Sequence, residues 1–379
     1  MDTKKLLYSV RYPLYEGFHL KQKFDGQLKA FENLGFEVYY IGFDKQYFYL
    51  INGENKEIIG KTHFWIPNYF HTFLYADYYS VAGYTLKQNK MDYVYFRDCA
   101  VFPSAVSFAK QINKQSIQLI YEVPTYLATA KEKSMSIMRS VYSCISEAWS
   151  KELRKVVSLY LLIGDQAPDT YCGKPAMNIS NGVSLELMPK RNPIKDENCI
   201  HLLALSSMCY WHGYDRLIRS LAEYKGMMPV KIHLVGGNDG GYMEEWKALS
   251  IRLNVGDNVI FHGEQYGKDL DRLYDLCDLG IGGLGEYRQG GRNSSALKTR
   301  EYMARGLPAV YTQKDKAFSS LDPDLQLWIS DDESIPDMGK IVEFAEQKRR
   351  DSSCVQRLRD YAQEHLSWEN EYKKIIDIL

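Results

Sequence analysis

The sequence predicts an α/β protein made of two Rossmann-like domains that face each other across a cleft. Short apolar runs typical of buried parallel strands alternate with helical patterns along most of the 379 residues. A chain of this length exceeds one ordinary hydrophobic core. The polar stretch at residues 189–198 separates two series of such units. We therefore expect domains at residues 1–183 and 184–379, with the last helix as a candidate to pack back on the first domain.

Each series contains five predicted strands. Those of the first domain lie at residues 6–10, 38–41, 93–96, 119–121 and 159–163, with the clearest helical patterns at residues 20–34 and 101–115. Those of the second lie at residues 200–205, 230–235, 259–262, 279–281 and 309–311, with helices at residues 214–224, 242–253, 268–276 and 295–304. Ligands bind open parallel sheets at the carboxyl ends of the strands, so we expect functional residues in the loops that follow them.

The composition is that of a globular protein without nucleic-acid partners, with 45% apolar residues, 25% charged residues and a net charge of −1. Seven unpaired cysteines and the absence of a secretion signal or a long apolar stretch predict a cytoplasmic protein. Residues 1–180 carry 21 Lys or Arg and 17 Asp or Glu, a net charge of +4. Ordinary scatter is the favoured interpretation, and an anionic acceptor or membrane surface is the alternative. An apolar stripe at residues 135–149, flanked by basic residues, leaves peripheral contact with the inner membrane face open, although packing on its own sheet is favoured.

The segment at residues 280–310 carries the strongest chemical signal. A glycine-rich loop follows a short strand and leads into a helix expected to begin near Ser295 and to end at Gly306, before a proline. The helix start offers unpaired backbone N–H groups and the positive end of the helix dipole. Three cations surround this start, Arg288, Arg292 and Lys298. This arrangement predicts a diphosphate site that needs no metal.

Glu301 lies about one turn beyond Lys298 on a nearby face of the same helix. Its carboxylate is suited to accept two hydrogen bonds from a ribose diol. The alternative is a Lys298–Glu301 ion pair on the surface of an ordinary helix.

Other loops of the second domain also offer phosphate ligands. After residues 200–205, Ser207 supplies a hydroxyl, Gly213 permits close backbone approach, and His212 donates a hydrogen bond or carries charge when protonated. A packed aromatic turn is the alternative. Gly236 begins a second glycine-rich loop, and residues 280–285 spell G-x-G-x-x-G. An NAD fingerprint needs a helix at its third glycine, and the polar segment at residues 286–293 argues against one.

Loops of the first domain supply the candidate acceptor residues. Gly17 follows the first predicted strand, and Arg97 ends another. Glu122, Thr125 and Tyr126 follow the strand at residues 119–121. Glu122 is either a loop carboxylate or, if it faces the cleft, the first nucleophile to test.

These motifs resemble those of the retaining GT-B glycosyltransferases of the group 1, or family 4, type. Residues 301–308, EYMARGLP, match the second half of that family's signature, and Asn181-Gly182 and residues 211–218 resemble two further segments. The resemblance implies that Glu301 binds ribose and that Lys298 binds the diphosphate together with the N–H groups of Ser295, Ala296 and Leu297. It places Asn293 where the family has its first glutamate, which contacts the donor sugar.

The resemblance thus implies a retaining transfer of sugar from a nucleotide diphosphate-sugar to a glycan or lipid-linked glycan, in cell-surface polysaccharide or glycolipid synthesis. Lys298, Arg288 and His212 would stabilise the leaving diphosphate, and no metal or cofactor is expected. A nucleotide-sugar epimerase, a phosphorylase and an inactive transferase-like partner subunit are the alternatives.

Overall fold

The computed structural model describes residues 3–15, 20–66, 73–99, 101–124, 126, 147, 149–164, 168–238, 240–289, 295–312, 315–376 and 378. The chain divides into two compact units. Unit 1 comprises Met1–Ser180 with Glu371–Leu379, and unit 2 comprises Asn181–Asn370. Both units are built around largely parallel sheets, as the sequence predicts.

The described part of unit 1 contains one nine-stranded sheet. Its strands are β1 (Lys5–Pro13), β2 (Glu37–Phe43), β3 (Tyr47–Asn52), β4 (Asn55–Lys61), β5 (Tyr93–Arg97), β6 (Gln118–Val123), β7 (Val157–Ile163), β8 (Thr170–Tyr171) and β9 (Lys174–Ile179). The order across the sheet is β4-β3-β2-β1-β5-β6-β7-β9-β8. The helices are α1 (Lys21–Asn33), α2 (Leu74–Gln88) and α3 (Ser104–Gln115). The strand order therefore reverses between β1 and β5, which pair side by side.

The five strands predicted for this sheet are present, but each edge contains strands that the apolar runs did not indicate. β3 and β4 form an antiparallel hairpin next to β2. β4 is mostly exposed, so it lacks the apolar run of a buried strand. The Asn52-Gly53 pair at its turn, with Gly53 at φ +54°, is a hairpin signal that the prediction did not use.

The described part of unit 2 contains a six-stranded parallel sheet. Its strands are β10 (Ile200–Leu205), β11 (Val230–Val235), β12 (Val259–Gly263), β13 (Leu279–Ile281), β14 (Ala309–Tyr311) and β15 (Gln326–Trp328). The order is β12-β11-β10-β13-β14-β15. Four predicted strands are confirmed with unchanged bounds, β10, β11, β13 and β14. This order places the topological switch point between β10 and β13, where open α/β sheets bind ligands.

The helices of unit 2 connect and cover these strands. They are α4 (Tyr214–Glu223), α5 (Met243–Arg252), α6 (Gly267–Leu276), α7 (Leu297–Arg305), α8 (Met338–Arg350) and α9 (Cys354–His365). The last helix, α10 (Trp368–Ile376), begins in unit 2 and continues into unit 1, where Tyr372 stacks on Phe31 at 4.3 Å. Among the described residues, the helices are too short or too polar to cross a lipid bilayer.

Gly236 is a backbone constraint at the carboxyl end of β11. It adopts φ +135°, and a Cβ added there would lie 1.7 Å from the Ser206 carbonyl oxygen. Gly241 also has a positive φ, but an added Cβ would meet nothing within 4 Å. Substitutions at the two glycines therefore distinguish the energetic cost of an unfavourable backbone conformation from the cost of a steric clash.

We predict that Gly241→Ala lowers the free energy of unfolding by about 1 kcal/mol, the cost of an unfavourable φ. Gly236→Ala should cost at least about 2 kcal/mol more, because the backbone must move to relieve the clash. Urea denaturation followed by circular dichroism measures both. Equal effects of the two substitutions would contradict the close approach of Gly236 to Ser206.

Candidate functional site

Two loops predicted to carry chemistry meet at the switch point of unit 2. Gly213, after β10, has φ +64°, and a Cβ added there would lie 2.5 Å from the Gly285 backbone nitrogen. Leu284 N donates to the His212 carbonyl oxygen at 2.8 Å. The sequence predicted that Gly213 makes room for a ligand; the space at its α-carbon is instead occupied by the backbone at Gly285. This contact fixes His212 beside the loop that follows β13.

Arg288 is held in place by two carboxylates. Its guanidinium donates to both oxygens of Asp215 at 2.8 and 3.0 Å and to both oxygens of Glu333 at 3.0 and 2.7 Å. It also donates to the Tyr210 carbonyl, and its side chain is only 4% exposed. All three guanidinium nitrogens are therefore engaged. The prediction that Arg288 faces the diphosphate is corrected, since this cation is neutralised within unit 2 and braces the loop.

Lys298 differs from Arg288 because no carboxylate of the described residues lies within ion-pair distance of its ammonium. Nζ donates to the Tyr214 hydroxyl at 3.1 Å, and it lies 5.4 Å from the centre of that ring. Burial lowers the pKa of Lys298 to about 8, an effect that the more distant charge of Glu286 opposes. This arrangement excludes the predicted alternative of a Lys298–Glu301 ion pair. A desolvated cation without a counter-ion favours the binding of an anion.

His212 lies next to Lys298 and is uncharged. Its Nδ1 accepts a hydrogen bond from Cys209 N at 3.3 Å, which assigns the ring proton to Nε2. Burial and the Lys298 charge lower the pKa of His212 to about 2. The expectation that His212 carries charge is therefore corrected. It contributes a neutral N–H donor, for which the described residues provide no acceptor.

The helix that carries Lys298 begins two residues later than predicted, at Leu297. Its N-cap residue, Ala296, provides no side-chain cap, and its first turn contains no acidic residue. The first backbone N–H groups of a helix have no partner within the helix, so an anion is favoured here. Ser295, Ala296 and Leu297 thus lie at the helix start, as the predicted diphosphate site requires.

Asn181 and Arg300 hold this helix start in position. Asn181 N donates to Ser295 Oγ at 2.6 Å, and Asn181 Nδ2 donates to the Ser295 carbonyl at 2.5 Å. Arg300 donates through Nε to the Asn181 carbonyl at 2.6 Å and pairs with Asp315 at 2.7 Å. The sequence marked Asn181 as a turn residue but did not indicate these contacts, because its partners lie more than 100 residues away.

Glu286 is a candidate site residue that the sequence analysis missed. It lines a small pocket together with Gly283, Ala296, Thr299, Thr312 and Asp315, next to the start of α7. Its charge is also felt by Lys298. The sequence feature that could have indicated Glu286 is its position directly after the G-x-G-x-x-G glycines at residues 280–285.

The other residues predicted to bind the nucleotide-sugar are described in part. Ser207 Oγ lies 3.3 Å from Cys209 Sγ, and Gly236 packs against Ser206. Glu301 Oε1 accepts from Arg305 Nε at 3.0 Å, and Arg305 also bonds to Asp271. Arg292 and Asn293 lie outside the described residues. The roles of these residues in donor binding stay predictions.

Within the described ranges, one group of side chains has the spacing of metal ligands, namely Asp196, Cys199 and His201. It lies at the amino end of β10, whereas the loops above follow the carboxyl ends of their strands. This group therefore does not belong to the candidate site.

In unit 1, Glu122 is fully buried. Its carboxylate accepts hydrogen bonds from Lys23 at 2.9 Å, Gln27 at 2.9 Å, Arg97 at 3.1 Å and the Tyr95 hydroxyl. Burial alone would raise its pKa, but Lys23 and Arg97 lower the pKa of Glu122 to about 2. The expectation of a strand-end carboxylate facing a cleft is corrected, because this group is an ionised part of a buried network.

Two of the four predicted acceptor residues, Arg97 and Tyr126, are described, and they contact different partners. Arg97 pairs with Glu122 at the end of β5, whereas Tyr126 packs edge-to-face on Tyr171 at 6.0 Å. Gly17 and Thr125 lie outside the described residues, as does most of the apolar stripe at residues 135–149.

Comparisons with known proteins place this geometry in context. Residues 200–333 match a family model described as Glycosyl transferases group 1. No curated protein matches the chain in sequence. Among solved structures, sucrose-phosphate synthase from Thermosynechococcus elongatus aligns with a TM-score of 0.66 at 14% identity, over 99% of this chain and 98% of that one.

Two further structures are similar over nearly their full length. WaaG, a glycosyltransferase involved in lipopolysaccharide biosynthesis, aligns with a TM-score of 0.62 at 16% identity, over 98% of this chain and 99% of that one. Anabaena HepE in complex with UDP aligns with a TM-score of 0.60 at 14% identity, over 99% of both chains. The structural likeness confirms the predicted GT-B fold class, and the match of residues 200–333 to a glycosyltransferase group 1 domain supports a transferase enzyme.

We predict that Glu122→Ala lowers the free energy of unfolding by about 3–5 kcal/mol, because it leaves the buried Lys23 and the partly buried Arg97 without their carboxylate. Glu152→Ala, which removes an exposed partner of Lys155, is the matched control and should cost no more than about 1 kcal/mol. Chemical denaturation measures both. A fully stable Glu122→Ala protein that has lost sugar transfer would instead restore Glu122 as a catalytic group.

Proposed function

We propose that the protein transfers a sugar from a nucleotide diphosphate-sugar to a glycan or lipid-linked glycan, with retention of the anomeric configuration. The single observation that carries this proposal is Lys298, a buried ammonium at the uncapped start of α7 that pairs with no carboxylate of the described residues. The similarity to HepE, whose crystal structure contains UDP, supports a nucleotide donor. In this proposal unit 2 binds the donor and unit 1 binds the acceptor.

The diphosphate would be held by three kinds of donor at the switch point. Lys298 Nζ supplies the charge, His212 supplies its Nε2–H, and the first N–H groups of α7 supply backbone donors. Breaking the bond between the sugar and the phosphate leaves additional negative charge on the leaving diphosphate. Donors already fixed in place stabilise that charge without reorganisation, which lowers the barrier. These residues perform this role without a metal ion or cofactor.

The donor sugar and ribose would be held by carboxylates near the same helix. Glu301 accepts from the ribose diol while Arg305, which also bonds to Asp271, fixes the orientation of its carboxylate. Glu286 lies in the pocket beside Ala296 and Thr299 and is the carboxylate available to bind a sugar hydroxyl where Asn293 brings no charge.

Retention is proposed to proceed by front-face attack, in which the leaving phosphate assists the acceptor hydroxyl. The buried state of Glu122 supports this choice, because all of its carboxylate contacts are with other groups of unit 1. The WaaG likeness supports a place in cell-surface polysaccharide or glycolipid synthesis. As a further part of the proposal, the protein would act at the cytoplasmic face with peripheral membrane contact.

Lys298→Met should weaken the binding of UDP by roughly 10- to 100-fold, the loss of one charge-assisted hydrogen bond. Lys340→Met removes an exposed lysine on α8 and should leave the affinity unchanged. Isothermal titration calorimetry with UDP, and with GDP and ADP in parallel, measures the effect. If none of the nucleotides binds the folded wild-type protein, the donor assignment fails and an inactive partner subunit is favoured.

The affinity for UDP should also fall as the pH rises through about 8, because the Lys298 ammonium loses its proton near that pH. Above this value we expect up to a tenfold loss per pH unit. Lys298→Arg should abolish this dependence between pH 7 and 9.5, since a guanidinium stays charged there. Wild-type affinity that is constant over this range would contradict the role of Lys298.

A further inference from the structure

Unit 1 contains a polar pocket at its own topological switch point. The pocket has a volume of about 50 Å³ and lies at the carboxyl ends of β1 and β5. Its lining includes Ser9, Arg11, Tyr75, Arg97 and Asp98. A cavity needs about 10–15 Å³ to hold one water, so the pocket has room for a carboxylate or phosphate group but not for a sugar ring.

Two guanidinium groups line this pocket. Arg11 donates to the Tyr75 hydroxyl at 2.8 Å, and both Arg11 and Arg97 act electrostatically on that hydroxyl. Arg97 uses Nε for its bond to Glu122, and among the described residues its two terminal nitrogens have no hydrogen-bond partner. Its side chain remains 21% exposed. The buried Glu122 therefore positions Arg97 with the fork of its guanidinium available to an oxyanion.

The other polar groups of the pocket are consistent with an anionic ligand. The Ser9 side chain is fully buried, and its hydroxyl lies close enough to the Tyr78 hydroxyl to act on it but makes no hydrogen bond of ordinary geometry with the described residues. A buried hydroxyl without a partner is costly unless a ligand or water completes it. Asp98 is the carboxylate in the lining, and its Oδ1 already accepts from the Tyr121 hydroxyl at 2.6 Å. Among the described lining residues, two guanidinium groups face one carboxylate.

We propose that this pocket binds an oxyanion, a carboxylate or phosphate group, carried by the sugar acceptor. The identification of the ligand as the acceptor rests on the proposed function; the binding of an oxyanion does not. Arg11 and Arg97 hold the charged group and Ser9 donates to it, while the sugar ring remains outside the pocket.

The test is calorimetric titration of the full-length protein with glucuronate, glucose 6-phosphate and glucose in low-salt buffer. At least one charged sugar should bind tenfold or more tightly than glucose, and the preferred one identifies the anion as carboxylate or phosphate. Arg11→Gln and Arg97→Gln should each weaken that binding roughly tenfold, whereas Lys110→Gln, an exposed lysine on α3, should not. Arg11→Gln leaves Glu122 fully bonded, so it tests the pocket even if Arg97→Gln is unstable.

Equal binding of the charged and neutral sugars, or wild-type binding by Arg11→Gln, would overturn the inference. UDP titrated into the same proteins reports on unit 2 separately. Failure of UDP binding with intact anion binding rejects the proposed function alone, and the reverse result rejects the pocket alone.

Discussion

The candidate donor site depends on the contact between the backbones at Gly213 and Gly285. Only glycine fits at Gly213, because a Cβ there would overlap the neighbouring loop. The contact joins the segments that follow β10 and β13, the two strands on either side of the switch point. His212 and Arg288 are fixed by it, and Tyr214, directly after Gly213, receives the hydrogen bond of Lys298. Any side chain at Gly213 would therefore disturb several groups at once.

The buried charges of the protein fall into two classes. Arg288, Arg300 and Glu122 are matched by opposite charges and stabilise the segments that contain them, namely the loop after β13, helix α7 and strand β6. Lys298 has no such match among the described residues, and its lowered pKa reflects that. The neutralised arginines thus hold the segments of the proposed donor site in place. The charge of Lys298 favours the binding of an anion there. The sequence alone does not distinguish the neutralised cations from the unpaired one, because every cation near the glycine-rich loop is equally a candidate to bind phosphate.

The fold was more predictable than the site. Strands such as β10 and β11 are mostly buried, so each is largely apolar and defines its own bounds. β4 escaped prediction because it is exposed, and β15 because it is only partly buried and lacks an apolar run. The helix of Lys298 followed from local spacing, and its start lies two residues later than predicted. The burial and pairing of Glu122 could not be predicted from local spacing, because its partner Lys23 lies 99 residues away in the sequence.

The most direct test of the proposed donor site is a crystal structure of the protein with bound UDP. We predict that the diphosphate lies at the start of α7, within hydrogen-bond distance of Lys298 Nζ and His212 Nε2, with Arg288 still paired to Asp215 and Glu333. A diphosphate bound by Arg288, or bound away from the start of α7, would contradict the central claim that the unpaired lysine defines the donor site.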